Sequence, residues 1–331
     1  MARREATERR LTAIVLAPMQ GYADYAMRTR FALAGGFDQM VCEFASISVG
    51  CPGRAFWAKL MPEIDTALRC DGVPVFPQLL GRDAEAMKRA LDSLIGFGFQ
   101  AVDVNFGCPA PGVNRRGAGA AMLRSPEAMG DLVRALVDAA EGRCAIWAKM
   151  RLGWDDPADA AAIARALGAA GAARVTVHAR TRADGYSRPA RWECFAPARD
   201  ALPPGVEFVA NGDVYGVEDA LSLVESASPD ALMLGRGALA DPRLAARIRA
   251  VLSGGSDPGP MGLAELADFL GGFFALESRR AAPRAALGRL KQWLSAMAPR
   301  NVEAESLLQA VRGLDEPERA LGVLRAAARD N

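Results

Sequence analysis

The sequence predicts a (β/α)8 barrel followed by a small all-helical domain, and three observations lead there. Eight short, apolar, β-rich runs recur at intervals of roughly 20 to 40 residues, with amphipathic helical stretches between most of them. Continuous apolar strands alternating with helices form a parallel sheet, and eight such units close a barrel. A doubly wound open sheet is the competing architecture, but no Gly-x-Gly-x-x-Gly follows the first strand, where a dinucleotide-binding fold needs one. Finally, the Gly/Ser/Pro-rich stretch Ser253–Pro260 is a linker by composition, and only helical patterns follow it.

In chain order, strands are expected at Ile14–Pro18, Met40–Ser46, Val75–Leu80, Ala101–Phe106, Ala145–Arg151, Arg174–Ala179, Glu207–Asn211 and Ala231–Gly235. Helices fit Asp24–Ala34, Asp83–Gly96, Pro126–Ala139, Asp156–Ala170, Gly216–Ser226 and Asp241–Leu252, with Asp83 and Asp156 as N-caps and Gly98 and Gly171 just past helix ends. After the linker, Leu263–Arg280, Ala285–Ala298, Glu303–Arg312 and Glu316–Ala328 read as helices punctuated by Pro283, Pro299 and Gly313. The expected organisation is a flexible segment 1–10, a barrel over 11–252, a linker over 253–260 and a helical domain over 261–331.

The 331 residues are long enough for a barrel of about 250 residues plus a further domain. With 51% hydrophobic and 24% charged residues the chain is an ordinary globular protein, and its net charge of +1 by itself neither favours nor excludes nucleic acid. Six cysteines (Cys42, Cys51, Cys70, Cys108, Cys144, Cys194) form no C-x-x-C pair, which argues against a disulfide framework and a zinc or iron–sulfur site. His178 is the single histidine, so no metal is expected. The apolar run Leu11–Pro18 is too short to span a bilayer and lacks a cleavage-site pattern. A cytoplasmic monomer without a membrane partner is expected.

Chemistry in a barrel sits at the carboxyl ends of the strands. Those ends carry Pro18 and Met19, Gln78, Asn105 and Cys108, Lys149 and Arg151, His178 and Arg180, Asn211-Gly212-Asp213 and Gly235-Arg236-Gly237. Polar and cationic groups converging on one rim suit an anionic, heteroaromatic ligand. Glycines in the last two turns let backbone N–H groups approach a phosphate. Lys149 is one of four lysines in an arginine-rich chain and lies inside an apolar strand, where an ammonium needs an anion or loses its proton. Beside a flavin it would stabilise the negative charge of the reduced ring near N1 and C2=O. The Gly107-Cys108-Pro109 turn presents a thiol at the sheet's rim. The residues alone leave open a buried structural thiol at Cys108, an outward Lys149 and a satisfied core His178.

The motifs Leu16-Ala-Pro-Met-Gln-Gly21, Gln78-Leu-Leu-Gly81, Asp103-Val-Asn-Phe-Gly-Cys-Pro109, Lys149-Met-Arg-Leu-Gly-Trp154, Val177-His-Ala-Arg-Thr181, Ala210-Asn-Gly-Asp213 and Gly235-Arg-Gly-Ala238 span nearly the whole barrel in order. In these the chain resembles the tRNA-dihydrouridine synthases, FMN-dependent barrels with a helical RNA-binding domain. Arg289-Leu-Lys-Gln-Trp-Leu-Ser295 and Gln309-Ala-Val-Arg312 are similar to the subgroup acting on uridine 16 of the D loop. The resemblance implies FMN held by Pro18, Met19, Gln20, Gln78, Lys149, His178, Asn211, Gly212, Asp213, Gly235 and Arg236, with NADPH as electron donor. It implies Cys108 as general acid, delivering a proton to C5 of uracil after hydride reaches C6; a thiol with a pKa near 8.5 is mostly protonated at neutral pH. It further implies tRNA as partner, with Asn105 and Arg151 holding the target base and adjoining RNA, and Arg289, Lys291 and Arg312 on the RNA face of the helical domain. The target base must leave its stack to react.

Six basic and no acidic residues lie between Ser278 and Val302, and Arg280, Arg284 and Lys291 have spacings that fit one helix face. Three positions depart from the family pattern: Ala179 stands where glycine is usual, Phe106 where a polar residue or tryptophan is common, and Ser46 where the subgroup tends to carry arginine. The rival functions are the same reaction at another D-loop uridine, a flavin-barrel oxidoreductase acting on a small molecule, and a non-catalytic RNA-binding protein on a decayed barrel.

Overall fold

The computed structural model describes residues 11–48 and 52–329; the segment 1–10, Cys51 and residues 330–331 lie outside the described residues. Eight parallel strands close a barrel: β1 (Ala13–Leu16), β2 (Gln39–Ser46), β4 (Val73–Leu80), β5 (Ala101–Asn105), β6 (Ala145–Arg151), β7 (Arg174–His178), β8 (Glu207–Asn211) and β9 (Ala231–Leu234). The ring is complete because β1 pairs with both β2 and β9 while β2 also pairs with β4. The two-residue β3 (Arg69–Cys70) pairs antiparallel with β4 only.

Strand residues alternate between two environments, as a pleated barrel wall demands. Outward residues such as Ile14, Leu16, Val102, Val104, Ile146, Ala148, Val175, Val177, Phe208 and Ala210 join one large core under the helices. Inward residues Ala13, Val15, Ala17, Val41, Val209, Ala231 and Met233 form a separate apolar cluster inside the barrel. The rest of the interior is mainly polar, interrupted by the Phe76 and Trp147 rings, whose centroids lie 4.5 Å apart. At its amino-terminal end Arg174 donates to Glu207 (2.6 Å) and to Gln39 (2.7 Å) and lies 3.9 Å over the Trp147 ring. This plug closes one end of the barrel and leaves the carboxyl end open.

The helices follow sequence cues with some displacement. Asp24 caps α1 (Tyr25–Ala34) by accepting from Met27 N–H (3.0 Å). The segment between β2 and β4, read as connection, contains α2 (Arg54–Leu60) and a 3-10 turn whose buried Glu63 accepts two hydrogen bonds from Arg28 (2.8 and 2.7 Å). Asp83 caps α3 (Ala84–Gly96), and α4 (Pro111–Asn114) and α5 (Pro126–Ala140) follow β5. Asp156 caps a 3-10 turn instead of the long helix, so α6 (Ala160–Ala169) starts later than expected. Short α7 (Phe195–Asp200) fills the interval before β8, and α8 (Val217–Ala227) precedes β9. The last unit is split into α9 (Arg236–Ala240) and α10 (Leu244–Leu252).

Four helices complete the chain: α11 (Leu263–Arg280), α12 (Pro283–Met297), α13 (Val302–Val311) and α14 (Pro317–Ala327). Trp293 docks them on the barrel. Fully buried, it packs against Phe31 of α1 and Phe269 and Phe273 of α11 with centroids 4.8–5.5 Å away, and its indole N–H donates to Leu239 O (3.1 Å). Burying such a ring contributes roughly 4–6 kcal/mol before entropy is counted. Pro283 begins α12 instead of merely preceding it, and Ala281-Ala282 breaks the chain from α11. The expected shared face of Arg280, Arg284 and Lys291 is therefore corrected: Arg280 ends α11 and lies 4.8 Å over Tyr25, while Arg284 and Lys291 face one small cavity of α12. No helix among the described residues is long and apolar enough to cross a membrane.

Candidate active site at the barrel mouth

The open end of the barrel holds a cavity of about 580 Å³, within the range of small-ligand sites. Its wall beneath β5 is built by Asn105. The Asn105 side-chain oxygen accepts from the backbone N–H of Gly107 and of Cys108 (both 2.9 Å), forming an Asx-type turn. Asn114 Nδ2 (2.9 Å) and Ala120 N–H (3.0 Å) donate to the Cys108 carbonyl. Arg151, almost fully buried, donates to Gly107 O (2.7 Å), Thr181 O (3.0 Å) and Gly185 O (2.9 Å), tying this turn to the loop after β7. Burial pushes the Cys108 thiol up from its ordinary range, and the Ala110 backbone and Arg151 offset only part of that shift. The thiol keeps its proton at neutral pH.

The facing wall is cationic. Lys149 is buried and donates to Asn211 Oδ1 (3.0 Å), whose amide nitrogen donates to Met233 O (2.9 Å). Burial lowers Lys149, with Asp103 opposing that shift. His178 is held well below its ordinary pKa by burial and then by Arg151, Lys149, Arg180 and Arg236. It is a neutral ring among four cations. Asp213 accepts from Arg180 (2.5 Å), Arg236 (3.0 Å) and the Ala190 N–H (2.8 Å), and these partners hold its carboxyl below the usual range despite burial.

The residues fit a flavin mononucleotide. Gly237 can carry no side chain, because a Cβ there would stand 1.8 Å from Val214 O. Gly212 has φ +140°, and its Cβ would meet Ala190 at 3.1 Å. Packing of the chain thus demands glycine at both positions, and both line the cavity beside Arg236. Pro18, Met19, Gln20, Asn105, Cys108, Lys149, Arg151, His178, Asn211, Gly212, Asp213, Gly235 and Arg236, all expected from sequence, line this one cavity.

Other expected residues lie elsewhere. Gln78 is fully buried one layer below the cavity, donating to Asp103 (2.5 Å) and accepting from Asn105 (2.7 Å), so its contacts here are with side chains of β5. Arg289 is committed within the protein: it donates to Gly21 O, Tyr22 O (3.0 Å), Asp24 (2.6 Å) and Gln292 (2.5 Å), pinning the cavity-lining loop after β1 to α12. Its guanidinium, expected on the RNA face of the helical domain, is thus held against the barrel and remains part-exposed. Lys291 donates to Leu314 O (2.6 Å), and Arg312 is exposed.

Sequence reasoning missed the aromatic residues of the mouth. Tyr186 is exposed, with the Arg151 and Arg236 guanidinium groups 5.0 and 5.1 Å from its centroid; Tyr215 lies 3.8 Å from that of Arg300. Both sit in turns whose sequence carries no periodicity. Of the three departures, Phe106 packs into the outer core, Ala179 is buried beneath Gly212, and Ser46 is exposed at the end of β2. Among the described residues no group of three or more His, Cys, Asp or Glu could hold a metal.

Comparison with known proteins fits this geometry. The family model for dihydrouridine synthase (Dus) matches residues 15–298. The chain is 37% identical over 317 residues to a tRNA-dihydrouridine(16) synthase of Neisseria meningitidis, covering 95% of this chain and 94% of that one. It is 38% identical to proteins of the same name from Ralstonia nicotianae, covering 96% of both chains, and from Aquipseudomonas alcaligenes, covering 92% of this chain and 96% of that one. With the barrel, the cationic cavity and the Asn105–Cys108 turn in place, the chain belongs to the dihydrouridine synthase family, whose flavin-dependent members reduce uridine in tRNA to dihydrouridine.

Proposed function

We propose that this protein is a cytoplasmic, monomeric tRNA-dihydrouridine synthase that reduces uridine 16 of the D loop, with FMN in the barrel-mouth cavity and NADPH as electron donor. The observation that carries the reading is that one cavity combines a protonated thiol, Cys108, with a cationic wall of Lys149, Arg151 and Arg236 around neutral His178. Bound FMN supplies hydride for C6 of the uracil ring. The residues that hold it are Pro18, Met19, Gln20, Lys149, His178, Asn211, Gly212, Asp213, Gly235 and Arg236, with Gln78 supporting from beneath.

Cys108 donates the proton from Sγ to C5, and its burial keeps that proton in place until the base arrives. Lys149 stabilises negative charge at the cavity floor, where the low dielectric makes an ammonium more effective than in water. Asn105 and Arg151 hold the base and adjoining RNA, while exposed Arg284 and Arg312, with Lys291, meet tRNA phosphates. Position 16 is supported by relatives that bear that number in their names over nearly their whole length.

The test is dihydrouridine mapping, by mass spectrometry of tRNA fragments. The tRNA comes from cells lacking this protein and is incubated with purified enzyme, FMN and NADPH. Reduction confined to position 16 is expected. Reduction at another D-loop uridine refutes the position, and no reduction by flavin-loaded enzyme on competent tRNA refutes the activity in favour of a small-molecule reductase.

A further inference from the structure

The barrel interior holds a fully buried carboxylate, Asp103, that does not line the cavity. Asp103 is 1% exposed, whereas the interior positions of β1, which does not pair with β5, are filled with Ala and Val. Burying a carboxylate costs several kcal/mol unless its partners offset it. Its side-chain partner is Gln78, whose Nε2 donates to Asp103 Oδ2 (2.5 Å). Gln78 Oε1 accepts from Asn105 Nδ2 (2.7 Å), and Asn105 Oδ1 accepts from the N–H groups of Gly107 and Cys108 (2.9 Å each).

An amide presents a donor on one side and an acceptor on the other, so two linked amides can run in either direction unless an end fixes them. Here both ends are fixed. An ionised carboxylate only accepts, and backbone N–H only donates. Reversing either amide would set two donors or two acceptors against each other in a buried site, where an unmade hydrogen bond is expensive. Burial raises the Asp103 carboxyl to about 6, with the Gln78 hydrogen bond and the Lys149 and Arg174 charges opposing that shift, so at neutral pH the ionised, accepting form still predominates.

We propose that Asp103 is a positioning residue for the proton-transfer step: as the terminal acceptor it anchors, through Gln78 and Asn105, the hydrogen-bond chain that holds the Cys108 turn in its reactive shape. The inference rests on the reading of Cys108 as the acid. Asp103 itself touches neither base nor cofactor in this arrangement, because Gln78 and Asn105 lie between it and the cavity.

The experiment compares wild type with Asp103→Asn and Asp103→Ala, each verified as folded by circular dichroism. In the apoprotein, the rate of Cys108 alkylation by iodoacetamide is read from its own peptide by mass spectrometry. In the flavin-loaded enzyme, kcat and KM for tRNA are measured. Loss of the directing acceptor loosens the turn and exposes the thiol, so Asp103→Ala is expected to alkylate at least threefold faster. Its kcat falls tenfold or more, while KM for tRNA stays within twofold. Asp103→Asn, which retains an oxygen acceptor but loses the carboxylate charge and can turn its NH2 toward Gln78, falls between. If Asp103→Ala does not fold, Asp103→Asn decides alone, with alkylation faster than wild type expected.

Alkylation unchanged or slower in the folded variants overturns the proposal, as does a loss that resides in KM alone. A general loss of packing would lower stability without this split. The alkylation readout does not depend on what Cys108 does in turnover. If Cys108→Ala retained full activity, the acid assignment would fail while the thiol data still decided whether Asp103 shapes the turn.

Discussion

Protonation of His178 should destabilise the apoprotein, and the effect can be sized. The ring is buried and faces Arg151, Lys149, Arg180 and Arg236, which together hold its pKa well below 6.5. The unfolded chain binds a proton near pH 6.5, whereas the folded protein leaves the ring neutral, so falling pH favours unfolding. Stability from this residue is complete above that value and is lost as pH drops below it. At pH 5.5 the loss relative to pH 7.5 reaches at most about 1.4 kcal/mol, the value for a folded ring that stays neutral while the unfolded imidazole carries a tenfold excess of the protonated form. Urea unfolding of wild type and His178→Gln at both pH values isolates the term, because carboxylates shared by the two proteins cancel in the difference. Wild type should lose up to about 1.4 kcal/mol more than His178→Gln. Equal losses would refute the picture of a neutral imidazole enclosed by cations.

Three further outcomes follow from the same geometry. Arg289→Met removes a charge-assisted hydrogen bond to Asp24 and two carbonyl contacts at the loop after β1, and should lower stability by about 1.5–3 kcal/mol in urea unfolding; wild-type stability would show that the pin is dispensable. Arg284→Glu with Arg312→Glu should weaken tRNA binding and reduce its salt dependence by about two phosphate contacts at unchanged thermal stability; wild-type affinity would remove α12 and α13 from the interface. Because burial raises the Cys108 thiol, the pH midpoint of its alkylation should lie above the ordinary value of about 8.5, and a midpoint below 8 would contradict its role as an acid.

The parts of this protein written as a repeating pattern were legible in its sequence. Strands such as Ala145–Arg151 announce themselves by an apolar run, and the polar residues Lys149 and Arg151 within it are two apart, so both point inward. The same spacing relates Asp103 to Asn105, and Thr176 to His178. What escaped was set by tertiary context. β3 has two residues, too few for periodicity to register. Tyr186 reaches the cavity because Arg151 holds the loop after β7, a contact between residues 35 positions apart. Gln78 and Arg289 carry the right chemistry for ligands, yet in the fold each finds its partners inside the protein: Gln78 between Asp103 and Asn105, Arg289 at the loop after β1. Pro283 separates Arg280 from the face it was expected to share.

Delivery of the proton to C5 by the Cys108 thiol is tested most directly by the turnover of Cys108→Ala. Flavin-loaded wild type and variant are compared on tRNA lacking dihydrouridine, with FMN content and tRNA affinity measured alongside. A fall of 100-fold or more in the rate of dihydrouridine formation is expected, in keeping with the size of general acid catalysis, with both binding measures within twofold of wild type. Wild-type turnover in the variant would contradict that role of the thiol.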